Sequence, residues 1–153
     1  MSHLKKGKRL SCCEMLWPVE CRRLPAFLRT GMRRLMVGIT EMRGAVGGAA
    51  VMFQYDLVRS QPDDGDAWPQ DQTYCVTDER GAVHCGGVQK IVLDGALLRI
   101  VFTESAAAAL ALDDRVLEIS LAISDADREA MCGGLRRVLS CGRREYQPTV
   151  IRL

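Results

Sequence analysis

The chain has 153 residues, of which 48% are hydrophobic and 26% charged, a composition that suits one globular domain of ordinary size. No apolar run reaches the roughly 18 residues that a membrane-spanning helix needs, and no signal-peptide core is visible. We therefore expect a cytoplasmic protein without a membrane partner. Seven cysteines with two histidines and no CxxC pair argue against a zinc site and a disulfide framework. We expect reduced thiols, no metal and no cofactor.

The charge is unevenly distributed along the chain. Residues 1–45 carry ten Lys or Arg and three Glu, a net charge of +7, whereas the remainder carries eleven basic and sixteen acidic residues, a net charge of −5. Prolines and glycines interrupt the apolar residues of the first segment. We predict a basic, poorly ordered N-terminal extension over residues 1–45 and a folded domain over 46–153. The extension should be dispensable, so that a chain beginning at Met52 folds.

A basic extension has several possible roles. Phosphates attract Lys and Arg, so binding to nucleic acid through this arm is one alternative function. An organelle presequence, a membrane-surface arm and a start codon placed too far upstream are others. We do not expect nucleic acid as a partner, because the arm offers only Trp17 and Phe27 as aromatic residues and contains no recognised motif.

A predicted strand over residues 51–59 leads into a polar loop over residues 60–72. Alternating apolar residues predict the strand. The four acidic side chains of the loop lack the spacing and closing Glu of an EF-hand. Acidic side chains around one tryptophan are typical of an interface hot spot with a polar rim, although an ordinary solvated loop fits equally well. The candidate partner-binding residues are Asp63, Asp64, Asp66, Trp68 and Asp71.

The next stretch predicts three strands, over residues 73–77, 82–93 and 96–102. Residues 78–81 begin with Asp and end with Gly, which suits a type I turn. Asp94 and Gly95 predict a two-residue hairpin turn of type I′. Gly86 and Gly87 interrupt the long middle strand. They predict a β-bulge or a close approach of another backbone, since no GxGxxG pattern surrounds them to favour a phosphate-binding loop.

The C-terminal part predicts two helices and two further strands. Thr103 is a good N-cap for a helix over residues 104–111, and Ser124 with Asp127 caps a second helix that ends near residue 139. Residues 115–123 alternate as a half-buried strand, and residues 149–153 form a possible last strand. The predicted fold class is α+β, with a mainly antiparallel sheet of four to five strands and two helices packed on one face.

A cysteine-dependent enzyme is a second alternative function. His84 and Cys85 are the only adjacent base and nucleophile in the sequence, but neighbouring residues of a strand point to opposite faces. Cys75 could meet His84 more easily across a hairpin. Cys75 could instead face Cys85 there. We expect no enzymatic activity, because no stronger catalytic constellation is present.

Several short motifs together carry a resemblance to a known family. They are the segment 73–76 that contains Tyr74, the pair Gly86 and Gly87, the Asp94-Gly95 hairpin, and the helical segments 102–112 and 134–139. With these motifs, the chain resembles the immunity protein 10 family of bacterial polymorphic-toxin systems. The resemblance implies a cytosolic protein that binds a cognate protein toxin and blocks it. That function needs a complementary surface and no active site, and an acidic domain would suit a basic toxin.

Overall fold

The computed structural model describes residues 34–40, 50–56 and 73–153. Over these residues the chain forms eight strands, two α-helices and one 3-10 turn (Arg144–Tyr146). The strands are β1 (Arg34–Thr40), β2 (Ala50–Asp56), β3 (Cys75–Asp78), β4 (Val83–Cys85), β5 (Val88–Asp94), β6 (Leu97–Phe102), β7 (Val116–Ser120) and β8 (Val150–Arg152). The helices are α1 (Glu104–Ala109) and α2 (Asp125–Leu139).

The strands form two sheets. The first has the order β1-β2-β3-β4 and is antiparallel throughout, and the second has the order β7-β6-β5-β8. In the second sheet only the β5–β8 pair is parallel. The α+β prediction is confirmed, but the strands divide into two sheets of four where a single sheet of four to five was expected. Helix α2 packs against β1 and β2, and α1 packs against β4.

Strand β1 lies inside the segment predicted to be a poorly ordered extension, residues 1–45. Each of its residues pairs with β2, from Arg34 opposite Asp56 to Thr40 opposite Ala50. Leu35, Val37 and Ile39 are buried, with Ile39 fully enclosed. Residues 34–40 thus belong to the folded part, and we propose that the domain begins before Arg34 instead of at residue 46. The expectation for residues 1–33 lies outside the described residues.

Both sheets and both helices contribute to one hydrophobic core. The predicted alternation over residues 115–123 is confirmed, because alternate residues of β7 are buried, and β6 shows the same pattern. This alternation follows from the two-residue repeat of a strand. The largest fully buried side chains in the described part are Tyr74, Phe53, Phe102, Ile39, Ile91, Leu98, Ile100, Ile119, Met131, Leu135, Leu139 and Val76.

The predicted helix caps are present. The hydroxyl of Thr103 accepts a hydrogen bond from the amide of Ala106 at 3.2 Å, and the hydroxyl of Ser124 accepts one from the amide of Asp127 at 3.1 Å. Each bond satisfies an amide that has no partner within the first helical turn. Helix α1 ends at Ala109, two residues earlier than predicted. Helix α2 ends at Leu139, as predicted.

One of the two predicted turns is shifted by one residue. The amide of Gly81 donates to the carbonyl of Asp78 at 3.1 Å, as the predicted turn over residues 78–81 requires. In the β5–β6 hairpin, however, Asp94 pairs with Leu97, so the two loop residues are Gly95 and Ala96. Gly95 has a φ of +58°. Glycine with positive φ at the first loop position is typical of a type II′ turn, which corrects the predicted type I′ turn centred on Asp94 and Gly95.

Candidate functional site

The Gly86-Gly87 pair is the point where the chain passes from the first sheet to the second. Strand β4 ends at Cys85 and β5 begins at Val88, so the two glycines form the connection, which we call the corner. Their φ angles are +69° and +91°, a region that side-chain-bearing residues rarely adopt. From the sequence, we predicted a β-bulge or a close approach of another backbone inside one long strand. In the structure the strand ends at these glycines, and another element does approach them closely.

Gly87 is surrounded on the side where a side chain would stand. A Cβ at this residue would lie 2.5 Å from the Cβ of Ala106 and 2.8 Å from Nδ1 of His84. The carbonyl of Gly87 also accepts a hydrogen bond from the amide of Thr103 at 2.8 Å. Gly87 therefore fixes the start of α1 against the corner. The space that a phosphate group would need beside Gly87 is occupied by α1.

Tyr74 supports the same corner from the core. Its side chain is fully buried, its hydroxyl accepts a hydrogen bond from the amide of Val88 at 3.0 Å, and it donates to the carbonyl of Tyr146 at 3.2 Å. The amide of Gly86 donates to the carbonyl of Tyr74 at 2.7 Å. Burial raises the pKa of Tyr74 to about 12, although the hydrogen bond from Val88 opposes this rise. Tyr74 thus stays neutral, and it ties β3, β5 and the 3-10 turn together.

The other predicted motif, the hairpin turn at Asp94 and Gly95, belongs to the second sheet. A Cβ at Gly95 would meet nothing within 4 Å, so this glycine is needed for its backbone conformation alone. The structure therefore brings Tyr74, Gly86 and Gly87 together at the corner and leaves Asp94 and Gly95 in a separate turn.

The cysteine and histidine side chains do not form the pair that the enzyme alternative needs. Cys75 lies opposite Cys85 in the β3–β4 ladder, with the two sulfurs 2.7 Å apart, and His84 lies opposite Val76. Cys75 and His84 are thus on opposite faces of the hairpin, which corrects the expectation that they could meet across it. The Nδ1 atom of His84 lies 3.4 Å from the carbonyl oxygen of Gly86. His84 is therefore not placed to activate either thiol.

The predicted partner-binding residues, Asp63, Asp64, Asp66, Trp68 and Asp71, lie outside the described residues. Their segment joins β2 to β3, which are neighbours in the first sheet. Residues 73–153 carry eleven acidic and ten basic residues, a net charge of −1. Most of the acidic excess assigned to the whole domain therefore comes from the β2–β3 connection.

One feature that the sequence reasoning missed is an uncharged patch on the outer face of the first sheet. The face consists of residues that alternate with the buried residues of β1–β4, and the patch on it consists of Met36, Met52, Gln54, Thr77 and Val83. Val83 is 50% exposed, an unusual exposure for a large apolar side chain in this structure. The alternation of Leu35, Val37 and Ile39 was the signal that would have revealed β1 and this face.

Among the described residues, no group of three or more His, Cys, Asp or Glu side chains could hold a metal ion. No described helix combines the length and the apolar character needed to cross a membrane. Neither a metal site nor a membrane span therefore adds a candidate site to the surfaces described above.

Comparison with known proteins assigns the chain to a family. The family model for Immunity protein 10 matches residues 28–129, about two thirds of the chain. The match runs from before β1 into α2 and includes both sheets except β8. No curated protein and no solved structure matches the chain. The extent of the family match shows that the chain belongs to the immunity protein 10 family.

Proposed function

We propose that this chain is an immunity protein that binds a cognate polymorphic toxin in the cytosol and neutralises it. The observation that carries the proposal is the family match over residues 28–129. Two structural features agree with it. The corner formed by Tyr74, Gly86 and Gly87 is built from packing and backbone hydrogen bonds, and Cys75 and His84 lie on opposite faces. A protein that acts by covering its partner needs a stable, complementary surface and no active site.

For the toxin-binding surface, we propose the β2–β3 connection over residues 62–71. In the sequence its four aspartates flank Trp68 on both sides, and an aromatic anchor with a polar rim is the usual composition of an interface hot spot. The aspartates would attract a basic toxin and speed its association, and this effect should weaken as salt screens the charges. Residues 73–153, with a net charge of −1, would contribute little to that attraction.

Binding kinetics test both parts of the proposal. The toxin domain encoded next to this chain is immobilised, and association and dissociation rates of the full chain are measured at low and high salt. Trp68→Ala should raise the dissociation rate. Asp63→Asn with Asp64→Asn should slow association mainly at low salt. No binding by the parent chain would overturn the proposed function, whereas binding that neither variant changes would overturn only the proposed surface.

A matched charge control is available in the described part of the chain. Asp113 and Asp114 are also adjacent and exposed, and they lie between α1 and β7. Changing both to Asn removes the same charge as changing Asp63 and Asp64. If the two double variants slow association equally, overall charge explains the effect and the β2–β3 connection has no special role.

A further inference from the structure

Two cysteines, Cys75 and Cys85, lie directly opposite each other on neighbouring strands of the first sheet. They are register partners in the β3–β4 ladder, and their sulfur atoms are 2.7 Å apart. Among the described cysteines, Cys132 is buried on α2 and Cys141 donates to the carbonyl of Arg137 at 3.2 Å. Neither of those thiols faces another described cysteine in a strand ladder, so the geometry singles out one pair.

The backbone geometry at this pair suits a covalent link. The amide of Gly86 donates to the carbonyl of Tyr74 at 2.7 Å, and the amide of Asp78 donates to the carbonyl of Ala82 at 3.0 Å. In an antiparallel ladder hydrogen-bonded and non-hydrogen-bonded pairs alternate. Because Tyr74 faces Gly86 in a hydrogen-bonded pair, the next pair, Cys75 with Cys85, is a non-hydrogen-bonded one.

Non-hydrogen-bonded pairs bring their Cα atoms to about 4.5 Å and their side chains close together. Disulfides accept Cα separations of about 4.4 to 6.8 Å. The hairpin therefore already has the spacing that a disulfide needs, and closing the bond requires no change of register. We propose that Cys75 and Cys85 form a reversible disulfide by exchange with oxidised low-molecular-weight disulfides.

The exchange proceeds in two steps that balance. The thiolate of half-buried Cys85 attacks one sulfur of the small disulfide, releases one small thiol and forms a mixed disulfide. The thiolate of Cys75, which is 7% exposed, then attacks the Cys85 sulfur and releases the second small thiol. Two protein thiols are oxidised and one small disulfide is reduced to two thiols. Excess reduced thiol reverses both steps.

The chain offers a direct readout of this bond. Trypsin cleaves after Arg59, Arg80 and Lys90, so Cys75 and Cys85 fall on separate peptides, residues 60–80 and 81–90, with one cysteine each. The full-length folded chain is incubated with oxidised glutathione, its remaining thiols are alkylated in acid, and the digest is analysed by mass spectrometry. The two peptides should appear linked, with the loss of two hydrogens. The linked form should be at least tenfold more abundant than any other cysteine pair, and dithiothreitol should abolish it.

Variants and a denatured control define what would overturn the proposal. Cys85→Ser should remove the linked peptide, whereas Cys132→Ser should leave it unchanged. The same oxidation in concentrated urea should lose the preference for this pair, because the register is then absent. If the folded parent chain links other cysteines more often, or carries only mixed glutathione adducts at Cys85, the proposal is overturned. The parent chain decides this even if a variant fails to fold.

Discussion

Gly87 and Ala106 approach so closely that a Cβ at residue 87 would lie 2.5 Å from the Cβ of Ala106. The Cβ of Ala106 is fixed to the backbone of α1, so it cannot rotate away as the end of a long side chain could. Gly87 also has a φ of +91°. A side chain at this residue would therefore meet two separate penalties, one steric and one conformational.

We predict that Gly87→Ala lowers the free energy of unfolding by more than Gly81→Ala. Gly81 has a φ of +79°, but a Cβ there would meet nothing within 4 Å, so it carries the conformational penalty alone. That penalty is about 1 to 2 kcal/mol, and overpacking adds about 1 to 3 kcal/mol at Gly87. Urea denaturation of both variants measures the difference. Equal losses would mean that the corner and α1 do not pack as described.

The two adjacent glycines of α2 should respond differently to alanine. A Cβ at Gly133 would meet nothing within 4 Å, whereas a Cβ at Gly134 would lie 2.7 Å from Cγ2 of Val37 in β1. Gly133→Ala should stabilise the protein by up to about 1 kcal/mol through helix propensity. Gly134→Ala should lose that gain or destabilise, because the β-branched Val37 cannot easily turn away. Thermal or urea unfolding distinguishes the two.

A double-mutant cycle then tests the contact itself. Val37→Ala removes the methyl group that a Cβ at residue 134 would strike, so Gly134→Ala should cost about 0.5 to 3 kcal/mol less in that background. Additive effects of the two substitutions would show that β1 does not lie against α2.

The start of the folded domain can be tested by truncation. A chain beginning at residue 28, where the family match begins, should unfold cooperatively in urea. A chain beginning at Met52 lacks all of β1 and so loses the buried side chains of Leu35, Val37 and Ile39. It should fail to fold, which reverses the sequence-based expectation for that chain. Cooperative unfolding of the Met52 chain, with the stability of the longer one, would restore the boundary at residue 46.

Because Tyr74 is buried as a neutral phenol, we predict that the protein loses stability at high pH. Burial raises its pKa from 10.0 to about 12, so between these values the folded protein keeps a proton that the unfolded chain has released. The stability from neutral Tyr74 is thus complete below pH 10 and is lost as the pH rises to about 12. The slope contributed by one group is at most about 1.4 kcal/mol per pH unit.

Tyr74→Phe isolates this effect from other groups that titrate in the same range. The variant should lack the additional loss above pH 10. At neutral pH it should be less stable by about 1 to 3 kcal/mol, because the amide of Val88 loses its buried acceptor. Identical pH profiles for the parent and the variant would contradict the burial of a neutral phenol at the corner.

The sequence predicted those parts of the fold that local chemistry determines. Each of these parts depends on neighbouring residues, and each is present: the Thr103 and Ser124 caps, the alternation of β7, and the turn at residues 78–81. The prediction for the β5–β6 turn was wrong by one residue, because Asp94 and Gly95 fit a type I′ turn locally. Cross-strand pairing of Asp94 with Leu97 decides the register instead.

The parts that could not be predicted depend on contacts distant in sequence. The two glycines at residues 86 and 87 signalled an interruption, but only the packing of α1 on Gly87 shows that the chain changes sheets there. Strand β1 was hidden within a basic segment, and its burial depends on β2 and on α2. For the candidate site, the sequence indicated Tyr74 and the glycine pair, while the proposed toxin-binding residues 62–71 stay a prediction from composition.

The most direct test of the proposed function is protection of cells from the toxin. The toxin domain encoded beside this chain is expressed from an inducible promoter, together with the full chain or with an empty vector, and growth is followed. We predict that the chain restores growth and that Gly87→Ala protects less, in proportion to its loss of stability. Arrested growth in the presence of well-folded, abundant parent chain would contradict the account.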